Sequence, residues 1–289
     1  MESLDVVYYT GMKVSTRVAI TAATKAGKLL RRLVAEKQNV RVKDPEFQAH
    51  IVTQSDIRSE ELIVDIIRRQ FPDHAILSEE STSTVDPTKH DHLWIVDPLD
   101  GTISFAAGLP FYSVSISYFE NQEPVSSALY LGATNEVIWC ETGKGAFQGK
   151  RQLFVKDQPL AQAVVAVDQG VRTREITMTT IAPALSLRIR SLLVVPGEAA
   201  NLGFVAKGNI QGLLCSHPRI WDYAAGIHLV LEAGGIVTDY AGKPYRWFSR
   251  AGHIACTSSV HSHILEHTKK SIELLRNVAE GGHVDEELH

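Results

Sequence analysis

The segment Trp94-Ile95-Val96-Asp97-Pro98-Leu99-Asp100-Gly101-Thr102 carries the strongest signal in this chain. An apolar run typical of a buried strand ends in two aspartates, which are separated by two residues. Asp97 at the strand tip and Asp100 across the proline-constrained turn can both face one point. Short carboxylates supply the oxygen ligands that hard cations such as Mg²⁺ prefer. Two aspartates at this spacing alone would favour an Asp-rich turn in which they satisfy only their own backbone, but the strand in front and the Gly101-Thr102 pair behind favour a metal site.

The Gly101-Thr102 pair adds a second feature to this segment. It exposes two successive backbone N–H groups, and we expect them at the start of a helix. Such groups favour an anion, in particular a phosphate. The segment thus predicts a place for a phosphate beside a place for cations.

Three further acidic positions follow a similar pattern. Ile76-Leu77-Ser78-Glu79-Glu80 ends an apolar run in two glutamates, and Ile220-Trp221-Asp222 places an aspartate at the entry to a predicted helix. Asp56, after Ser55, precedes another predicted helix. Taken singly, each position has an ordinary structural interpretation as a solvated turn or a helix N-terminus.

Composition and charge exclude several classes of protein. The 289 residues are 44% hydrophobic and 21% charged, which is close to globular values and excludes a disordered chain. The net charge of −4 argues against a nucleic-acid partner. Three scattered cysteines argue against a disulfide framework and suit a reducing compartment. Because we find neither a signal-peptide pattern nor a run of roughly 18 apolar residues, we expect a cytoplasmic protein with no membrane partner.

The hydrophobic pattern predicts an α+β chain. Helices are predicted at residues 14–36, 60–67, 179–187, 198–205 and 222–233. Strands are predicted at residues 74–77, 93–96, 112–119, 128–131, 136–141, 164–167, 192–195, 211–215 and 236–238, with a glycine-punctuated hairpin near residues 143–149. Residues 37–48 form a polar segment, and residues 279–289 a mobile tail.

We expect two halves that share a core, with a soft boundary near residues 150–159. Residues 1–155 form an N-terminal α+β half with most of the candidate ligands. Residues 156–289 form a C-terminal α/β half that carries Asp222 and the predicted substrate pocket.

Together, and in this order, the acidic segments resemble the inositol monophosphatase family, the lithium-sensitive, Mg²⁺-dependent phosphomonoesterases. The resemblance runs from about Thr53 to Thr238 and is carried by the Asp97–Thr102 segment, Trp221-Asp222 and Gly234-Gly235. It implies a layered αβαβα sandwich of the inositol monophosphatase or sugar phosphatase type. It also implies a small phosphorylated metabolite as substrate and a homodimeric assembly.

The resemblance further implies a ligand set for two to three Mg²⁺ ions. Glu79, Asp97 and the backbone carbonyl of Leu99 would bind the first ion. Asp97, Asp100 and Asp222 would bind the second, and a third, weaker ion would sit near Glu79.

Catalytic roles follow from the same resemblance. The nucleophile would be a water activated by Mg²⁺ and oriented by Thr102 and Asp56. Glu80 would lie next to the metal ligands without binding the ions itself. The phosphate would sit on the backbone amides of Gly101 and Thr102. Lys43 is the nearest candidate for a lysine that the family places close to the third ion, although the spacing differs.

The predicted substrate pocket departs from the family pattern. Gly197-Glu198-Ala199 matches the segment that lines the pocket, but Glu198 stands where a small Ser or Thr is usual. Cys215 stands where inositol-specific members carry a glutamate that accepts hydrogen bonds from the ring hydroxyls. His217 and Arg219 are open to two interpretations: contacts to a second anionic group, or a surface loop.

Several functions remain open at this point. The first is hydrolysis of an inositol, sugar or nucleotide monophosphate, with 3′(2′),5′-bisphosphate nucleotidase and fructose-1,6-bisphosphatase as alternatives within the family. A non-catalytic binding protein on the same fold is the alternative of a different class, and Mg²⁺ bound only for stability is a third. Retention of clustered, mutually repelling acids argues against loss of the chemistry.

Overall fold

This computed structural model describes residues 11–36, 38–44, 47–81, 85–168, 178–179, 182–216, 218–249 and 251–266. Two long helices, with a β-hairpin between them, are the first described elements. In α1 (Val14–Leu33) apolar residues recur every three or four positions, so that one face, with Val18, Ala22 and Leu30, is buried. The second helix, α2 (Gln54–Gln70), begins with a capping box in which Thr53 and Asp56 satisfy each other's backbone N–H groups.

Seven strands form the larger sheet, in which each strand neighbours the next along the chain. Only the first pair, β3 with β4, is parallel. The strands and the separate β1–β2 hairpin have these bounds: β1 (Val40–Asp44), β2 (Phe47–Thr53), β3 (Ala75–Ser78), β4 (His92–Asp100), β5 (Ser113–Glu120), β6 (Glu123–Leu131), β7 (Glu136–Glu141), β8 (Gly145–Gln148) and β9 (Arg151–Leu153).

Five strands form the smaller sheet, in the order β11-β10-β12-β14-β13. Strand β10 runs parallel to β11 and β12, whereas β14 is antiparallel to both of its neighbours. The bounds of these strands and of the remaining helices are β10 (Val164–Asp168), β11 (Ser191–Leu193), β12 (Gly212–Cys215), β13 (Ile236–Asp239), β14 (His253–Cys256), α3 (Thr102–Ala106), α4 (Ala182–Ser186), α5 (Glu198–Ala206) and α6 (Ile220–Glu232). Residues 258–266 are also helical.

In the described residues, five layers pack through three buried cores, one of which lies on both sides of the α5–α6 layer. Trp94 and Val96 on β4 pack with α1 and α2, while Leu93 and Ile95 on the opposite face pack with α5 and α6. The inner face of the smaller sheet covers the other side of α5 and α6, and its outer face packs on α4 and on helical residues 258–266. The expected αβαβα sandwich is therefore confirmed, with α5 and α6 as the layer between the sheets.

Some of the predicted elements are wrong or too long. The polar segment 37–48 contains strand β1 and the start of β2, whose charged side chains hid a paired hairpin. Helix α1 ends at Leu33, before the predicted residue 36, and the strand predicted at 192–195 ends at Leu193. Strand β14 was missed because it has only four residues and all of them are buried, so that no alternation marks it.

Other predictions meet gaps in the described chain. Of the helix predicted at 179–187, residues 182–186 are helical in α4, while residues 180–181 lie outside the described residues. The C-terminal tail from 279 to 289 lies outside them as well. The boundary near 150–159 contains β9 and the residues after it, and the division into two halves stays a prediction. No helix in the described ranges combines the length and the apolar composition that a membrane crossing requires.

The contact between α1 and the larger sheet gives a test of this layer. A Cβ atom at Gly27 would overlap the ring of Tyr130 on β6. We expect Gly27→Ala to lower the free energy of unfolding by about 1–3 kcal/mol, because this overlap outweighs the helix propensity gained. Urea denaturation measures this change in the free energy of unfolding, and Lys28→Ala at the exposed neighbouring position is the control. An unchanged or increased stability in the Gly27 variant would contradict this packing.

Candidate metal centre

The end of β4 presents Asp97 and Asp100 on one side of an irregular turn. The antiparallel register with β5 runs regularly up to Asp97 and then shifts before it resumes at Asp100. Within the turn, the Leu99 N–H group donates to Asp97 Oδ1 over 2.9 Å. Both aspartates are buried, so the turn directs two carboxylates into the protein interior.

Glu79 and Asp222 converge on the same point from two other elements. Because β3 and β4 are parallel, their carboxyl ends meet at one edge of the sheet, and the Glu79 N–H group donates to the Val96 carbonyl over 3.2 Å. Asp222 lies in the first turn of α6. Carboxylate oxygens of Glu79, Asp97 and Asp222 all lie within 4.8 Å of one another.

Asp100 is fixed by hydrogen bonds from two further elements. Its Oδ2 accepts the Ser113 hydroxyl of β5 at 2.7 Å and the Ala200 N–H group of α5 at 3.2 Å. The close approach of α5 requires a glycine at 197, which has a φ of 106° and where a Cβ atom would lie 3.3 Å from Asp100 Oδ2. The predicted pocket segment thus packs its backbone directly against a candidate ligand.

Asp56 and Thr102 are joined beside the acids. Asp56 Oδ2 accepts the Thr53 N–H group at 2.9 Å and the Thr53 hydroxyl at 2.5 Å, so the carboxylate is held at the start of α2. The Thr102 hydroxyl lies 3.1 Å from Asp56 Oδ1 and 3.0 Å from the Leu99 carbonyl oxygen. It can donate to only one of them at a time and keeps lone pairs to accept another hydrogen bond.

Burial and mutual repulsion make this cluster electrostatically costly. Burial raises the pKa of Asp97 well above its usual range, and the charges of Glu79, Asp222 and Asp100 raise it further. The pKa of Asp222 is raised for the same two reasons, burial first and then Glu79 and Asp100. Burial raises the pKa of Asp100 to about 6, against hydrogen bonds that lower it. Mg²⁺ prefers hard oxygen donors such as these carboxylates, and its positive charge would offset the repulsion between them.

Lys43 brings one positive charge to the edge of the cluster. Its ammonium lies 2.9 Å from Glu79 Oε1 and 2.6 Å from Glu80 Oε1, and it reaches them from strand β1. Burial lowers the pKa of Lys43, but the two glutamates outweigh burial and leave it raised. Burial raises the pKa of Glu80 to about 7 despite the lysine. The structure therefore places the predicted early-loop lysine beside Glu79.

The other predicted residues fall into two groups. The Leu99 carbonyl and Gly101, which precedes α3 with a φ of 82°, lie in the same turn as the acids. Arg219 precedes α6, and its guanidinium lies 5.9 Å from the ring centre of Trp221. The side chain of Ala199 packs in the core, which leaves only its backbone for a ligand. His217 lies outside the described residues. Whether any of these groups binds metal or substrate stays a prediction.

A second cluster, around Glu198, was not predicted as a unit. The Cys215 thiol lies 3.1 Å from Glu198 Oε2, and His253 Nε2 lies 3.2 Å from Glu198 Oε1. Glu198 and Cys215 each depart from the family pattern, but no sequence signal joins them. His253 was missed because its strand, β14, was missed. The Glu198 side chain thus contacts the smaller sheet rather than the turn at Asp97 and Asp100.

Comparison with known proteins gives consistent matches over most of the chain. The family described as the inositol monophosphatase family matches residues 12–273. A Thermotoga maritima protein named fructose-1,6-bisphosphatase/inositol-1-monophosphatase is 34% identical over 224 residues, which are 77% of this chain and 84% of that relative. A Bacillus subtilis inositol-1-monophosphatase is 30% identical over 219 residues, 75% of this chain and 82% of the relative.

Solved structures show the same fold. A Thermotoga maritima IMPase superimposes with a TM-score of 0.80 at 30% identity and covers 95% of this chain and 100% of its own. The extragenic suppressor protein suhB from Bartonella henselae gives a TM-score of 0.82 at 30% identity and covers 89% of this chain and 99% of its own.

The electrostatic cost of the cluster predicts a pH-dependent effect on stability. A carboxyl group whose pKa is raised in the folded state destabilises the protein increasingly as the pH rises from its unfolded pKa to its folded pKa. In protein kept free of divalent cations, we expect Asp97→Asn to raise the free energy of unfolding by about 1–3 kcal/mol near pH 8 and by much less near pH 4.

Chemical denaturation at the two pH values measures this difference. Asp65→Asn, at an exposed carboxylate that pairs with Arg69, is the matched control and should change stability little. A wild-type protein that is more stable than Asp97→Asn at the higher pH, without divalent cations, would show that the buried charges do not oppose one another.

Proposed function

This chain belongs to the inositol monophosphatase family, and we propose that it hydrolyses phosphomonoesters of small sugars or inositol with Mg²⁺ held by Glu79, Asp97, Asp100 and Asp222. One observation carries the proposal. Carboxylates from the end of β3, the end of β4 and the start of α6 bring oxygens within 4.8 Å of one another in a site where Asp97 is buried and Glu79 and Asp222 are half-buried. A site of this composition attracts a phosphate once cations neutralise it.

Divalent cations would act on both the water and the phosphate. Bound divalent cations lower the pKa of a coordinated water and neutralise charge on the phosphate and on the leaving oxygen. The oxygen-only donor set suits Mg²⁺, and we infer two or three ions from the family resemblance. From the same resemblance we infer inhibition by Li⁺ and a homodimeric assembly.

Residues of this chain then position the attacking water. The Thr102 hydroxyl can donate to Asp56 Oδ1, over 3.1 Å, while its lone pairs accept a hydrogen from a water at the cluster. Asp56 is suited to hold a proton, because burial raises its pKa despite the hydrogen bonds from Thr53. Since the helix cap fixes Asp56 on one side, the pair can orient a water without rearranging.

The substrate class follows from the relatives and from the pocket. The Thermotoga maritima relative is named for both fructose 1,6-bisphosphate and inositol 1-phosphate, and both are polyol phosphates. Cys215 lacks the acceptor oxygen that an inositol-specific pocket would place there, which favours a broader sugar phosphate specificity. Gly101, Gly197 and Arg219 remain candidates to contact the substrate.

A phosphate-release assay tests the proposal. We expect Mg²⁺-dependent release from fructose 1,6-bisphosphate or inositol 1-phosphate, and a loss of at least about a hundredfold in kcat for Asp97→Asn and Asp222→Asn. Asp65→Asn should keep full activity. The panel includes 3′-phosphoadenosine 5′-phosphate and histidinol phosphate, so that preference for either would redirect the substrate assignment. The proposal would be overturned if, with Mg²⁺ present, none of these four phosphorylated substrates released phosphate.

Substitution of Thr102 tests the positioning of the water separately. We expect Thr102→Val to lower kcat by about 10²–10³-fold with a small change in KM, because the variant keeps the side-chain volume and loses the hydroxyl. Thr102→Ser, which keeps the hydroxyl, should retain most of the activity. Equal activities of the Val and Ser variants would remove the hydroxyl from the mechanism.

A further inference from the structure

We propose that Glu198, Cys215 and His253 form a second metal-binding site, which takes a divalent cation of borderline softness, in particular Zn²⁺. The site differs from the candidate Mg²⁺ centre in its donor atoms, since it offers sulfur and nitrogen besides oxygen. The proposal does not depend on the proposed hydrolase activity.

The register of the smaller sheet brings two of the three ligands together. Cys215 on β12 is the direct partner of His253 on β14, and Asp168 on β10 is the partner of Cys215 on its other side. Directly paired residues project from the same face of a sheet. Because Leu213 and Ala255, two positions away, pack in the core under α5 and α6, Cys215 and His253 face these helices as well.

The third ligand comes from α5, which lies above this face. Glu198 is the first residue of the helix, and its carboxylate lies 3.1 Å from Cys215 Sγ and 3.2 Å from His253 Nε2. One ligand atom from each of the three side chains lies within 4.8 Å of the other two. Around a tetrahedral zinc ion such atoms are about 3.3–3.6 Å apart, so small side-chain rotations would suffice.

Three polar atoms of this cluster, on Glu198 and His253, have no hydrogen bond within the described residues. Glu198, Cys215 and His253 are 4%, 0% and 0% exposed. Glu198 Oε1 and both ring nitrogens of His253 make no hydrogen bond within the described residues. Buried polar atoms normally have partners, and a histidine nitrogen without one is open to a ligand. A thiol that donates to the carboxylate would explain Cys215, but it would leave His253 Nδ1 without a hydrogen bond, and Glu198 Oε1 and His253 Nε2 would still face each other at 3.2 Å without one.

The donor types select the class of metal. Thiolate and imidazole together with one carboxylate form a set that Zn²⁺ and its substitute Co²⁺ bind well and Mg²⁺ binds poorly. Asp168 Oδ2 lies 3.5 Å from Cys215 Sγ and is the nearest further oxygen. A cation at this site would join α5 to β12 and β14, one residue from the Gly197 that packs on Asp100.

Cobalt spectroscopy on the full-length protein tests the site without an activity assay. Metal-free protein is titrated with Co²⁺ in excess Mg²⁺, which fills the oxygen-only centre. We expect one equivalent of Co²⁺ to give a thiolate-to-cobalt charge-transfer band that Zn²⁺ abolishes. Cys215→Ser should lose the band, whereas Cys256→Ser, at another buried cysteine of the smaller sheet, and Asp97→Asn should keep it.

Two outcomes would overturn the proposal. One is the absence of a charge-transfer band in the wild-type protein, and the other is a band that persists in Cys215→Ser. Where a variant fails to fold, X-ray absorption at the zinc edge of the wild-type protein tests the site instead. A zinc ion bound by Cys215 must show a sulfur neighbour at about 2.3 Å. A shell of only oxygen and nitrogen would contradict the site. An inactive Asp97→Asn that keeps the band would separate this site from the proposed function.

Discussion

Repulsion between carboxylates buried side by side is the constraint on which the rest of this structure depends. Asp97 and Asp100 are buried and Asp222 is half-buried, so that water screens their charges poorly. Lys43 reaches only the outer acids, Glu79 and Glu80. The arrangement is therefore stable only with protons or cations in place, and at neutral pH divalent cations are the more effective of the two.

The layered fold serves to bring these acids together. A parallel β3–β4 pair places Glu79 and Asp97 at one edge, and an irregular turn adds Asp100. The middle helical layer supplies Asp222 from the start of α6, and it packs Gly197 and the Ala200 N–H group at the start of α5 against Asp100. Elements distant in sequence thus fix the site from both of its sides, which suits a centre that must hold its geometry against repulsion.

The sequence predicted the parts of the site that local chemistry determines. The turn after β4 and the position of Asp56 near the start of α2 each follow from a few neighbouring residues. Convergence of Asp222 with Asp97 required the family resemblance, because no spacing rule relates residues so far apart.

The parts of the site that the sequence did not predict depend on pairing between strands that are distant in the sequence or lack an apolar alternation. The β1–β2 hairpin carries charged residues in place of an apolar alternation, yet it brings Lys43 to Glu79 and Glu80. The direction of the Glu198 side chain depends on β12 and β14, and β14 has no periodic signal. Residues that act through strands of four residues can be found only when the pairing is known.

Crystallography of the protein soaked in Mn²⁺, with anomalous scattering to locate the ions, tests whether these acids bind divalent cations together. We expect anomalous peaks between Asp97, Asp222 and Glu79, with carboxylate oxygens at about 2.1–2.2 Å, as hard divalent cations require. Crystals that show well-ordered carboxylates and no anomalous peak among them, at millimolar Mn²⁺, would contradict the claim that these acids jointly hold the metal.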